Sequence, residues 1–251
     1  MIPRLTNTPA PPPLYAAFLA ELRTRGFAGD LSLTHADRTV LATDNSIYQL
    51  TPQAIAFPRD TDDLVRIARA AQDPRFADVK LAPRGGGTGT NGQSLTDGLV
   101  VDVSRHMNRI LEINVAERWA RVEAGVVKDQ LNAALAEHGL FFPPELSTSN
   151  RATIGGMVST DACGQGSCLY GKTRDHVLEL TTVLLDGTVW RSATAFTRVD
   201  VEADEDAPQV RLRISGRGWT VASALSPDER TAFAEALSRA MGAAQAERWR
   251  A

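Results

Sequence analysis

Apolar positions recur at the helical interval from Leu64 to Ala71, where Leu64, Ile67, Ala68 and Ala71 form one stripe and Asp62 and Asp63 fill the first turn behind a Thr61 cap. This pattern predicts a packing helix. Short apolar runs at Ala54 to Phe57, Val79 to Ala82 and Leu99 to Val103 read as buried strands, and their alternation with the helix suits a βαβ unit. Farther on, Ile110 to Asn114 and Trp119 to Glu123 pattern as a hairpin, followed by a helix from Lys128 to Glu137 that stops near Gly139. The stretch from Val177 to Leu185 is β-rich and turns at Asp186-Gly187 before returning through Thr188 to Trp190. At the start, a Pro-rich run from Pro9 to Pro13 precedes an amphipathic segment, Leu14 to Leu22.

Between the second and third strands lies Pro83-Arg84-Gly85-Gly86-Gly87-Thr88-Gly89-Thr90-Asn91-Gly92. Five glycines so close together expose bare backbone N–H groups to a guest that approaches closely, and a diphosphate is the usual one. Residues 87 to 92 satisfy G-x-G-x-x-G, yet a Rossmann turn must open a helix, and here a short polar connector runs straight into the next strand. The Rossmann reading is therefore rejected.

A second cluster, Ser147 to Ser167, is dense in glycine and small hydroxyl residues and suits a groove in which a large planar ligand lies against backbone. It runs into Gly166-Ser167-Cys168-Leu169-Tyr170-Gly171-Lys172-Thr173, a full match to the phosphate loop of nucleotide triphosphatases. That motif requires a helix to start on the lysine. The residues beyond Lys172 are β-rich instead, so a triphosphatase is set aside.

The two clusters and the tail Tyr170-Gly171-Lys172-Thr173-Arg174-Asp175-His176-Val177 resemble the FAD-binding (PCMH-type) domain of the vanillyl-alcohol oxidase and p-cresol methylhydroxylase superfamily. Within it, the motif order is most similar to the flavin domain of bacterial FAD-linked D-2-hydroxyacid dehydrogenases, the D-lactate and D-2-hydroxyglutarate type with an iron–sulfur part. The likeness runs from about Leu14 to about Arg191. It implies an α+β fold of two lobes, the first with a mainly parallel sheet and the second with a mainly antiparallel one, and FAD extended between them. It also implies cofactor contacts from Arg84, Gly85, Gly86, Gly87, Thr88, Gly89, Thr90, Asn91 and Gly92 around the diphosphate. Thr153, Ile154, Gly155, Gly156 and Ser159 would line the flavin, and Gly164, Tyr170, Gly171 and Val177 would complete the wall. Asp161 stands where many relatives have Asn, which puts the hydrogen bond made there in question because a carboxylate accepts but does not donate.

In such enzymes the substrate domain, the catalytic histidine and the iron–sulfur ligands lie beyond the segment matched. The expectation is thus a truncated or separately encoded flavin domain for a small 2-hydroxyacid, with an iron–sulfur electron-transfer partner and no complete catalytic set. The alternative is a degenerate, non-catalytic domain that keeps its glycine loops for structural or partner-binding use. The organisation expected is a Pro-rich tail over 1–13, the flavin domain over 14–195, and a linker, β-hairpin and amphipathic helix over 196–251. The hairpin is Val210 to Ile214 with Trp219 to Ala222, and the helix opens at Ser226-Pro227. This last part also resembles the C-terminal part of a small family of bacterial membrane proteins; a divergent continuation of the second lobe is equally compatible with it.

With 251 residues and 43% hydrophobic content, the chain can bury one large or two small cores. A net charge of −3 without a basic run argues against nucleic acid as partner. No uncharged apolar stretch approaches the ~20 residues that span a bilayer, and the N-terminus lacks signal-peptide regions. Cytoplasmic placement, with peripheral association at the inner membrane face, is the expectation. Cys163 and Cys168 are too few for a zinc or iron–sulfur site and read as small buried fillers. Among the four histidines only His176 falls in a family motif, where a structural hydrogen bond is expected of it.

Overall fold

The computed structural model describes residues 10–192 and the backbone of 211–214. The chain divides into one unit ending at Trp219 and a second from Thr220, and every described residue lies in the first. Residues 1–9 of the Pro-rich tail, the connector over 193–210, the expected strand Trp219 to Ala222 and the helix from Ser226 lie outside the described residues.

The first lobe opens with α1 (Pro13–Thr24), β1 (Asp30–Ser32), α2 (His35–Val40) and β2 (Ala54–Phe57). It continues with α3 (Thr61–Ala71), a 3-10 turn (Pro74–Phe76), β3 (Leu81–Arg84) and β4 (Leu99–Asp102). The sheet order is β1-β2-β4-β3, with β1 antiparallel to β2 and the other two pairings parallel. All four residues of β2 and of β4 are buried, as parallel strands covered on both faces require. Ala54, Ala56, Leu99 and Val101 face α1 and α3, while Ile55, Phe57 and Val100 pack on the opposite face with Leu41.

Helix α3 corrects the expected cap. Asp60, in extended conformation, is the N-cap, and its carboxylate accepts from the Asp63 amide at 2.9 Å, whereas Thr61 is already helical. Asp63 is not a solvent-facing first-turn acid. It is fully buried and accepts from the amides of Ala28 (2.9 Å) and Arg59 (3.0 Å) and from the Arg66 guanidinium (3.0 Å). Strand β3 starts two residues later than the pattern suggests, because the Val79 amide closes the 3-10 turn on the Phe76 carbonyl. The strand consequently runs directly into the glycine loop.

The second lobe contains β5 (Ile110–Asn114), β6 (Trp119–Val122), α4 (Lys128–Ala136), α5 (Ile154–Thr160), α6 (Ser167–Tyr170), a 3-10 turn (Thr173–His176), β7 (Val177–Glu179), β8 (Thr181–Val183), β9 (Val189–Arg191) and β10 (Arg211–Ile214). Its core joins Ala120, Val122, Leu131, Leu135, Phe142, Ile154 and Met157. Strands β5 and β6 form the expected hairpin, and β8 and β9 the second. The main sheet, however, runs β5-β6-β10-β7, and β10 pairs parallel with both neighbours. That sheet is therefore mixed rather than mainly antiparallel, and β10 finds its partners in the second lobe.

The small-residue cluster forms a helix that the sequence pattern did not announce. Thr153 caps α5, its hydroxyl accepting from the Gly156 amide at 3.4 Å, and Asp161 ends it in the left-handed region at φ 48°. Ile154 and Met157 are the buried anchors.

Candidate functional site

Strand β3 delivers Arg84 and the glycine loop to the C-terminal edge of the first sheet, and β4 takes the chain away. Arg84 is buried, and its guanidinium points back into the protein. It donates to the Thr43 carbonyl at 2.7 Å and, at 3.4 Å each, to the Leu41 carbonyl and the Ser94 hydroxyl. Burial pulls its pKa below the ordinary guanidinium value; Asp102 and Asp44 push it back up and Arg151 adds to the drop. Asp44 completes the brace by accepting from Ser94 at 3.0 Å and from the Ser46 amide at 2.8 Å. Partial burial works to raise the Asp44 carboxyl, yet the bonds from Ser46 and Ser94 and the Arg84 charge hold it below the ordinary value.

Beyond Arg84 the backbone donors are uncommitted. The amides of Gly85, Gly86, Gly87, Thr88, Gly89 and Thr90 donate to no acceptor among the described residues, while the Asn91 amide is taken by Gln93 Oε1 at 3.1 Å. All but exposed Thr90 belong to half-buried residues, and backbone donors in this number call for an acceptor with several oxygens.

The second cluster packs directly on this loop. A Cβ at Gly85 would collide with the Thr153 side chain, and one at Gly86 with the Arg151 carbonyl, so glycine is what permits the two segments to touch. Thr153 is itself fixed by a β-bridge to Val127 and by Ile154 N–H donating to the Val126 carbonyl at 2.8 Å. Gly87 sits at φ 63° and, with Thr88, lines a cleft of ≈ 160 Å³ shared with Thr43, Asp44, Asn150 and Arg151. Diphosphate oxygens, two threonine hydroxyls and a run of free amides are chemically matched here, so the residues present fit FAD.

The structure thus brings together Arg84 to Thr88 and Arg151 to Thr153. Gly89 lies against the Gln93 amide group, and Gly92, at φ 72°, against the Tyr48 ring. Thr90 and Asn91 continue the loop exposed. On α5, Ile154 points into the core, Gly155 abuts Ala124, and Ser159 donates to the Gly155 carbonyl at 2.9 Å.

Asp161, Gly164, Tyr170, Gly171 and Val177 build the turn beyond α5. Asp161 accepts from the Arg174 amide at 3.1 Å and from its guanidinium, with Nε at 2.6 Å, and that partner lowers its pKa. The carboxylate's task here is to accept, and its charge strengthens the contact with the Arg174 guanidinium beyond what an amide oxygen would give. Gly164 abuts the Glu145 carbonyl, and its amide donates to Ser167 Oγ at 2.8 Å. The Tyr170 carbonyl accepts from buried His176 at 2.7 Å, and its ring meets Phe141 edge-on. Gly171 is at φ 81° and Val177 packs on the second core.

Lys172 is exposed, whereas Thr173 is fully buried with its hydroxyl donating to the Ala162 carbonyl at 2.6 Å, an arrangement unlike a triphosphate loop. Cys163 and Cys168 correct another expectation: both are exposed thiols, because they sit on the local turn around α6 rather than over a core. Arg151, Thr148 and Asn150 are cleft residues that the sequence reading did not single out. The available signal was that Arg151 is the one cation within 147–167.

Among the described residues no helix is long and apolar enough to cross a membrane. Residues 174–241 match a family model described as an integral membrane protein (DUF2244), in keeping with the resemblance noted for the last part of the chain. Over 181 residues the chain is 71% identical to the D-2-hydroxyglutarate dehydrogenase of Pseudomonas putida, covering 72% of this chain and 18% of that protein. With the Escherichia coli protein of the same name it shares 58% over 189 residues, 75% of this chain and 19% of the relative. The chain therefore spans about a fifth of the length of these curated relatives. A solved alkyldihydroxyacetonephosphate synthase matches with a TM-score of 0.62 at 22% identity, over 72% of this chain and 35% of that one, which shows the shared fold. Residues 52–193, more than half of the sequence, match the FAD binding domain model, and the chain belongs to that family.

Proposed function

We propose that this chain is the FAD-binding part of a flavin-linked dehydrogenase that oxidises a D-2-hydroxyacid of the D-2-hydroxyglutarate or D-lactate class. The observation that carries the reading is the run of six uncommitted amides, Gly85 to Thr90, held against Arg151 and Thr153. The substrate class rests on the relatives' names and on their identity to this chain over the same segment.

Bound FAD supplies the two-electron acceptor for oxidation at the substrate carbinol carbon. The chain's own residues bind and orient it. The Gly85 to Thr90 amides, with the Thr88 and Thr90 hydroxyls, take the diphosphate, each charge-assisted bond contributing about 1.5–3 kcal/mol. Arg84 acts one layer behind them by fixing the 41–44 segment, and Gly156 and Ser159 keep the exposed side of α5 low enough for a flat ring system, while Gly155 lets the helix seat against Ala124. Asp44 is the one carboxylate lining the cleft among the described residues, and Ser46 and Ser94 keep it charged and occupied. We assign the acceptor of the hydroxyl proton, the clamp on the substrate carboxylate and the iron–sulfur electron acceptor to the part of the relatives' length that this chain does not span.

The test is the near-ultraviolet and visible absorbance spectrum of the purified chain before and after incubation with FAD and desalting. Retained flavin bands are the expected result. A protein that stays colourless would leave the glycine loops as structural remnants and overturn the reading. Turnover of D-lactate or D-2-hydroxyglutarate by this chain alone would overturn the assignment of the proton acceptor elsewhere.

A further inference from the structure

The charge balance of the cleft singles out one side chain. Arg84, although cationic, is buried and spends its donors on the Thr43 and Leu41 carbonyls and on Ser94. Asp44, ionised in the same cleft, offsets that charge and opposes any anion brought against the loop. Arg151 is different. Its guanidinium makes no ion pair or hydrogen bond with any described residue, and it lines the cleft beside Gly87 and Thr88.

Its backbone is also placed with care. The Arg151 amide donates to the Thr148 carbonyl at 2.9 Å, and its own carbonyl seats against Gly86. Its Cγ lies 3.4 Å from where a Gly86 Cβ would be, so the stem of the side chain runs along the glycine loop. Arg84 and Arg151 are near enough for one to depress the pKa of the other. A cation left unpaired beside six free amides and next to a like charge is completed by an anion with oxygens on more than one side.

We propose that Arg151 is the diphosphate-positioning residue of this site: its guanidinium meets the phosphoryl oxygens that the Gly85 to Thr90 amides hold from the other side. It thereby selects a flavin dinucleotide over flavins lacking the diphosphate. The inference rests on the reading of the cleft as an FAD site and adds the residue that sets its preference.

The experiment compares wild type, R151A and R151K as the full chain, measuring equilibrium binding of FAD and of riboflavin at low and high salt. Wild type is expected to favour FAD, with affinity that falls as salt screens the contact. R151A should lose about tenfold or more in FAD affinity, the equivalent of one charge-assisted contact, and most of the salt dependence, with riboflavin binding unchanged. R151K should recover the salt dependence but only part of the affinity, since an ammonium lacks the planar fork. Because the side chain is exposed, the urea midpoint of R151A should match wild type; should it not, R151K and the salt series on wild type carry the test. Wild-type FAD affinity and salt dependence in both variants would overturn the assignment while leaving the FAD reading intact. Failure of wild type to bind FAD would remove both. An equal loss for riboflavin and FAD would mean that Arg151 shapes the site without meeting the diphosphate.

Discussion

Replacing Arg84 by methionine keeps most of the apolar volume of the stem and removes every donor at its tip. The 2.7 Å bond to the Thr43 carbonyl is a charge-assisted contact in a buried setting, worth about 1.5–3 kcal/mol. The two 3.4 Å contacts to Leu41 and Ser94 are at the limit of useful geometry and together add about 1 kcal/mol. Asp44 loses its nearby cation at the same time. The expected destabilisation is about 3 kcal/mol. Against a urea slope of ~2–3 kcal/mol per molar, the midpoint followed by far-ultraviolet circular dichroism should fall by about 1–1.5 M. FAD uptake should drop with it, because the 41–44 segment that walls the cleft is no longer held. A midpoint within about 0.3 M of wild type, outside the range that slope allows, would refute the bracing role. So would an unchanged midpoint with lost FAD binding, which would place Arg84 directly on the cofactor.

Two other substitutions probe neighbouring contacts. Gly86→Ala sets a Cβ against the Arg151 carbonyl, a backbone atom with little freedom to yield; the expected cost is about 1–3 kcal/mol in chemical denaturation together with loss of FAD retention. An alanine variant that retains flavin normally would show the two segments to be loosely apposed. Asp161→Asn removes a carboxylate whose pKa is lowered chiefly by Arg174, so the stabilisation it lends is complete above the unfolded value of about 3.9 and fades as pH falls through the folded value. Wild type should be the more stable at neutral pH, with the gap closing below pH ~4; a gap that stays constant down to strong acid would be evidence against the Asp161–Arg174 contact.

The strands β2, β4, β5 and β6 and the helices α3 and α4 were legible because their apolar positions repeat without interruption. Boundaries were less so, since the Asp60 cap and the start of β3 depend on single hydrogen bonds at Asp63 and Val79. Helix α5 was hidden: Gly155 and Gly156 each cost about 1 kcal/mol of helix propensity, and it forms because Thr153 caps it and Ile154 and Met157 reach the core. Strand β1 and helix α2, three and six residues long, are too short to leave a periodic signal. The glycine loop was recognisable from composition, but sequence does not say which way a guanidinium turns. Arg84 was expected on the diphosphate and faces the protein, while Arg151, passed over in its cluster, faces the cleft.

Gly86 and Arg151 are some sixty-five residues apart, yet the proposed anion cradle is made where they meet. Neither segment carries the cradle by itself, so a ribosome-bound chain has none until Thr153 and its cap on α5 have emerged and docked. A ligand of this site binds the folded chain and not the unfolded one, which turns cofactor supply into a folding term of about 2.7 kcal/mol when free FAD stands a hundredfold above its dissociation constant. Flavin limitation would then be felt as a shorter lifetime of the protein.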